Sequence, residues 1–146
     1  MRRLIAAISI AVLLTGCAQK SAFQKLADGP CTGDQVKLID KHISGQINAL
    51  AKKDWTLAYS FASSNFRAGV EIGEFSDIIA SQYSMLIENQ GFSFNNCTVA
   101  NRLISQEVSV TRDGKIYDLT YELSVNELSL GIESAAINID GTKLSA

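Results

Sequence analysis

Apolar positions along this chain recur first every three to four residues and then every two, and the change of period divides it in half. From Gln35 onward, Val36, Ile39, Ile43, Ile47 and Leu50 return at helical intervals, with Lys37, Asp40, Lys41 and Asn48 off that stripe. Thr32 or Asp34 can cap this helix, and Lys52 and Lys53 stand at its C-terminal end, where positive charge complements the helix dipole. Asp54 can cap a second, shorter helix in which Trp55, Ala58, Tyr59 and Ala62 share a face, and Ser63, Ser64 and Asn65 break it. A loop through Ala68 and Gly69 then leads to a third helix near 73–89. Its buried stripe is Phe75, Ile78, Ile79, Tyr83 (or Gln82) and Leu86, and Gly91 can serve its C-terminal cap.

The second half alternates. Phe92, Phe94 and Val99 carry the first alternations, and Val108 and Val110 lead into Asp113-Gly114, a strong hairpin signal. Beyond it, Tyr117, Leu119, Tyr121, Leu123 and Val125 alternate with Asp118, Thr120, Glu122 and Ser124, the pattern of a half-buried antiparallel strand. A last strand runs from Leu128 to Ile139, and a phase shift between Ile132 and Ala135 predicts a bulge. Three helices followed by about four antiparallel strands make an α+β fold with the helices on one face of the sheet.

The N-terminus has a different pattern. Arg2 and Arg3 precede an apolar run from Leu4 to Leu14 broken only by Ser9, and Leu14-Thr15-Gly16-Cys17 closes it. The run is well short of the roughly 20 residues a spanning helix needs. The layout is that of a secretory signal peptide, with a cysteine where the usual small-residue cleavage site would end. It resembles bacterial lipoprotein precursors, in which a diacylglyceryl group is attached to the cysteine thiol and the chain is cut just before it. That resemblance implies a signal peptide over 1–16 and a lipidated Cys17. A tether over 17–30 and one domain over 31–146 follow. It also implies a place in the cell envelope, on the extracytoplasmic face of a membrane. Ala18, rather than Asp, after the cysteine is compatible with the outer membrane of a two-membrane cell.

Composition changes this picture little. The formal charge is −2, and loss of Arg2 and Arg3 leaves 11 basic against 15 acidic residues, a charge of −4. A mildly acidic domain with dispersed charge has no electrostatic footprint for nucleic acid. It also has no polybasic cluster to assist a lipid anchor, so attachment rests on two or more acyl chains. With Cys17 assigned to lipid, Cys31 and Cys97 remain in an exported, disulfide-permissive domain. A bridge between them would close a loop of roughly 65 residues, for which chain entropy gives about 4 kcal/mol. Two separate buried thiols are the alternative.

The runs Gln46-Ile47-Asn48-Ala49-Leu50-Ala51-Lys52-Lys53-Asp54-Trp55 and Ala58-Tyr59-Ser60-Phe61-Ala62-Ser63, with Phe75, Ile78-Ile79 and Tyr83, carry a second likeness. Over roughly 35–135 the chain resembles a bacterial family of small exported proteins of unknown function. That family is similar to the nuclear-transport-factor-2-like (cystatin-like) superfamily. The resemblance implies a curved sheet whose concave face holds the helices around a conical pocket. The family usually closes with a tryptophan on the last strand, where this chain has Ser129-Leu130-Gly131-Ile132.

Chemistry on such a fold starts from a pocket carboxylate acting as base, with a tyrosine or a protonated acid stabilising the enolate. Tyr59, Tyr83, Tyr117 and Tyr121 can project inward, but alternation puts Asp118 and Glu122 on the opposite face, and Asp40 lies off the helix stripe. His42, the single histidine, sits on a flank of the first helix without metal-ligand neighbours. No catalytic residue, metal or cofactor is expected. Trp55, Tyr59 and Tyr83 are candidate pocket residues for a small apolar ligand; the alternative is that they seal the core. The reading is a non-enzymatic, lipid-anchored envelope protein that binds a small apolar ligand or another envelope protein. An isomerase-like enzyme and an accessory dimerisation domain are the other readings.

Overall fold

A computed structural model describes residues 22–139 and the backbone of 142–145. The expected signal peptide and Cys17 lie outside the described residues. Among those described, the order is β1 (Gly29–Pro30), α1 (Gly33–Ala51), α2 (Trp55–Ser60), α3 (Ser64–Gly69), α4 (Ile72–Gln82) and α5 (Ser84–Ile87). The strands β2 (Phe92–Ala100), β3 (Leu103–Arg112), β4 (Lys115–Asn126), β5 (Ser129–Ile139) and β6 (Thr142–Ser145) follow. The α+β class holds, with more elements than three helices and four strands.

The long helix begins at a reciprocal cap. Thr32 Oγ1 accepts from the Gln35 amide at 3.3 Å, and Gln35 Oε1 accepts from the Thr32 amide at 2.8 Å. Its apolar stripe is the one expected, except that Gln35 rather than Val36 is buried in the first turn. Asp54 caps α2 through the Leu57 amide, as its position predicts. The second helix does end before Ser63, but Ser63 also accepts from the Phe66 amide at 3.0 Å and starts α3, where a loop was expected. A serine before a short polar run serves as breaker or cap according to where the chain goes next. The expected third helix is cut in two at Tyr83 (φ −121°, ψ 32°). There the chain leaves the helical path, the ring is buried, and the hydroxyl donates to Ala135 O at 2.7 Å.

The strands form one antiparallel sheet in the order β1-β2-β3-β4-β5-β6. The added strands are both short edges. β1 pairs Gly29 with Val99 and Pro30 with Thr98, and the Cys31–Cys97 disulfide follows directly. The expected bulge on β5 is present: Glu122 pairs with Ser134 and Leu123 with Ile132, leaving Glu133 over. A second bulge leaves Asn95 and Asn96 opposite Glu107. Arg112, at the end of β3, donates to Ser84 Oγ at 2.7 Å and pairs with Glu88 at 2.5 Å, tying α5 to the sheet.

The core lies between the helices and one sheet face. Ile39, Ile43, Ile47 and Leu50 of α1 meet Ile104, Val108 and Val110 of β3 and Leu119, Tyr121 and Leu123 of β4, all fully buried. The segment expected as tether is packed from Ala22 onward. Phe23 is 4% exposed within the core, Ala22 O accepts from Gln35 Nε2 at 3.0 Å, and Asp28 Oδ1 accepts from the Asn101 amide at 3.0 Å. An aromatic ring with an apolar slot beside it is worth too much to leave in water.

Between α2 and α3 the chain crosses onto the part of the β5 edge that β6 leaves free. Ile132 donates its amide to Phe61 O at 3.0 Å, and Ser63 donates to Ile132 O at 2.8 Å. Two glycines make room for this crossover. A Cβ at Gly131 would stand 2.6 Å from Ser63 Cα, and one at Gly45 would strike the tip of the Phe61 ring. The obstacle is backbone in the first case and a movable ring tip in the second. Gly131→Ala is therefore expected to lose about 1–3 kcal/mol of stability. Gly45→Ala should lose less, because alanine regains up to about 1 kcal/mol of helix propensity. Urea unfolding of the two variants measures the difference, and equal losses would contradict this account of the wedge.

Candidate ligand pocket

An apolar cavity of about 280 Å³, not fully enclosed, lies between the short helices and the bulged half of β5. Phe66 and Val70 of α3 and its cap form one wall, Phe75, Ile78 and Ile79 of α4 another, and Leu86 of α5 closes a third side. The sheet contributes residues 132–135, with Ala62 from the crossover, and Gln46 reaches in from α1. Tyr83, at the break between α4 and α5, lines the cavity and is pinned to β5 through its hydroxyl.

Of the three candidate pocket residues, Tyr83 lines the cavity; Trp55 and Tyr59 do not. The Tyr59 hydroxyl donates to Val70 O at 2.6 Å, with Arg67 O at 3.2 Å, and its ring packs 5.6 Å from that of Phe75. It braces α2 against the end of α3. Trp55 is half-buried against the core at the start of α2. Tyr59 thus stands behind the pocket wall, and Trp55 is not part of the lining. Phe66 and Val70 were hidden because their segment reads as a loop, and Gln46 because an amide on an apolar stripe signals nothing by itself.

Tyr83 brings a hydroxyl to the cavity, and Tyr121 lies buried in the core near it. Tyr83 is bonded to Ala135 O, and burial raises its pKa. Tyr121, paired with Ala135 in the sheet register, is fully buried, and burial, helped by the neighbouring Tyr83, raises its pKa further. Both stay neutral at physiological pH. The carboxylates point elsewhere. Glu133 contributes to the cavity wall, but its carboxylate accepts from Ser124 Oγ, on the face away from the helices. Glu122 accepts from Ser134 Oγ at 3.2 Å and Asp118 from Ser109 Oγ at 2.6 Å, on that same outer face. Among the described residues, no three His, Cys, Asp or Glu side chains come together as a metal site.

The region that builds this cavity also has relatives. Residues 33–136 match the family described as a domain of unknown function, DUF4864. The chain belongs to that family. The DUF4864 span opens on the first residue of α1 and closes within β5, so it contains every wall of the cavity. Residues 1–18 match the prokaryotic membrane lipoprotein lipid attachment site, and Cys17 lies within that match. The DUF4864 domain is thus carried by a lipid-anchored protein of the cell envelope. No curated protein and no solved structure matches the chain. Among the described residues, no helix of the DUF4864 domain is long and apolar enough to cross a membrane.

His42 has a structural role beside this site. Its Nε2–H donates to Phe61 O at 2.9 Å, and its ring meets the Phe61 ring edge-on at 5.1 Å, so it holds the crossover against α1. Burial lowers its pKa below the ordinary 6.5, partly opposed by the bond to Phe61. The unfolded chain therefore takes up a proton before the folded one does. The contribution is fully present above about pH 6.5 and is lost as pH falls below that value. The unfolding midpoint should drop between pH 7 and 5, and the slope in that window should be weaker in His42→Gln, whose amide can still donate to Phe61. An unchanged slope in the variant would remove His42 from this role.

Proposed function

We propose that this protein is a non-enzymatic, lipid-anchored binding module whose cavity holds a small apolar molecule. The observation that carries the reading is a largely apolar, partly open cavity whose neighbouring carboxylates are all turned onto the other sheet face. Proton-abstraction chemistry of the isomerase type needs a base within reach of the substrate, whereas the cavity lining offers the neutral groups of Tyr83, Gln46 and Ser134, and its one acidic residue, Glu133, has its carboxylate engaged by Ser124 Oγ. Its volume is just under the usual range for small-molecule sites. Helices leading into a bulged antiparallel sheet also support kinship with the nuclear-transport-factor-2-like cone, which would make this cavity the cone's interior. The dimerisation reading is less favoured. Glu107, Asp118, Glu122 and Glu133 lie on the outer sheet face, hydrogen-bonded to neighbouring Ser and Asn side chains, and that surface is not apolar.

The domain would work on the extracytoplasmic side of its membrane, and Ala18 favours the outer membrane in a cell that has one. Two experiments test the two halves of the proposal. Cys17→Ser should move the protein from the membrane to the soluble fraction of the envelope or arrest it as an uncleaved precursor without acyl mass. Mature, acylated protein carrying the serine would refute the anchor. For the cavity, native mass spectrometry of protein purified from its own membrane should show a retained small molecule. Ile78→Trp, at a half-buried position in the wall, should abolish that retention without unfolding the domain. Equal retention by the variant would rule out this cavity as the site.

A further inference from the structure

The cavity is selective in a way that its apolar walls alone do not dictate. Among the described residues that line it there is no lysine, arginine or histidine. Arg67 lies on α3, which supplies Phe66 to the wall, yet it is exposed and not a lining residue. Burying an anionic headgroup without a paired cation is strongly unfavourable. What the cavity offers is neutral hydrogen bonding. Gln46 is only 5% exposed, and its Nε2 reaches Ala58 O at no better than 3.4 Å, so most of the amide's four-bond capacity stays available. The Tyr83 hydroxyl spends its proton on Ala135 O, which leaves its oxygen free to accept.

Resting on the reading that this cavity holds a small apolar molecule, we infer that its occupant is an uncharged lipid-like molecule with one hydroxyl or carbonyl group, and not a fatty-acid anion. A hydroxyl can donate to Tyr83 Oη, and a hydroxyl or carbonyl oxygen can accept from Gln46 Nε2–H. The raised pKa of Tyr83 follows from the same surroundings, which disfavour any negative charge. The volume of about 280 Å³ is roughly twice the ~150 Å³ of a cavity that takes one benzene. That suits a short hydrocarbon chain, and the opening lets a longer tail protrude.

The test uses the lipid-anchored protein in nanodiscs, with isotope-labelled isoleucine methyl groups. Shifts of Ile78, Ile79 and Ile132 are followed while 1-octanol, octanoate or octylammonium is added at pH 7.5. Empty nanodiscs correct each titration for partition into the bilayer. 1-Octanol is expected to bind at least tenfold more tightly than either ion, and Ile78→Trp should remove its effect. Octanoate or octylammonium binding within threefold of octanol, or better, would overturn the inference while leaving the cavity a ligand site. If no probe moves the methyl signals and no retained molecule is found by mass spectrometry, the ligand reading fails as well.

Discussion

The architecture depends on one close approach, the docking of Phe61–Ser63 between helix α1 and the free edge of β5. Two backbone hydrogen bonds to Ile132 hold it there, and two glycines, Gly45 and Gly131, remove the side chains that would push it away. His42 and Phe61 pack edge to face on the helix side of the same seam. Beyond the crossover, α3 and α4 stand across a gap from residues 132–135 of β5. The cavity is that gap. Tyr83 keeps it open from the other side by tying the α4–α5 break to Ala135.

The elements that the sequence makes legible are those whose signal is local. The stripe of α1, the alternation of β4, the Asp113-Gly114 turn and the phase slip around Glu133 all appear where their patterns put them. The Cys31–Cys97 bridge forms as the first of its two readings. What stays hidden is set by distant partners. Ser63 reads as a breaker until the crossover turns the chain and makes it a cap. Tyr83 reads as one more residue of a helical stripe until Ala135 claims its hydroxyl. The hairpins at Asn101-Arg102 and Glu127-Leu128 place Arg102, Glu127 and Leu128, as well as the more tolerant Asn101, at positive φ between long paired strands, and Asp28 also holds the Asn101 amide. The cavity inherits these blind spots. Tyr83 was identifiable as an aromatic on an apolar face, whereas Phe66 and Val70 follow from a helix that local pattern does not announce, and Tyr59 braces the wall from behind.

The sheet separates two surfaces of opposite character. Its helix-facing side is apolar, with Gln106 and Tyr121 as buried polar members near the centre of the core. Its other side is a lattice of short polar contacts between strands: Asn95 to Ser109, Ser109 to Asp118, Asn96 to Glu107, Ser134 to Glu122. The carboxylates in this lattice accept from neutral donors and carry their charge on the face away from the core. The strict alternation of β4 produces both surfaces at once, so the polarity that excludes a carboxylate from the cavity also makes the outer face acidic.

The disulfide has a mechanical consequence for a protein held at one end. Tension arriving from a lipidated Cys17 enters the described structure at Ala22 and first meets the buried Phe23 ring and the hold of Gln35 on Ala22 O. If those yield, the Asp28–Asn101 hydrogen bond and the short β1–β2 pairing come next, and the barrier after them is covalent. The Cys31–Cys97 bond passes the load straight into β2, at the edge of the sheet opposite β5 and β6. Once the Gln35 hold is lost, helices α1 to α5, which lie within the closed loop, are off the path of the load. The chain thus has a loaded edge and an unloaded one, and the cavity is built on the unloaded one.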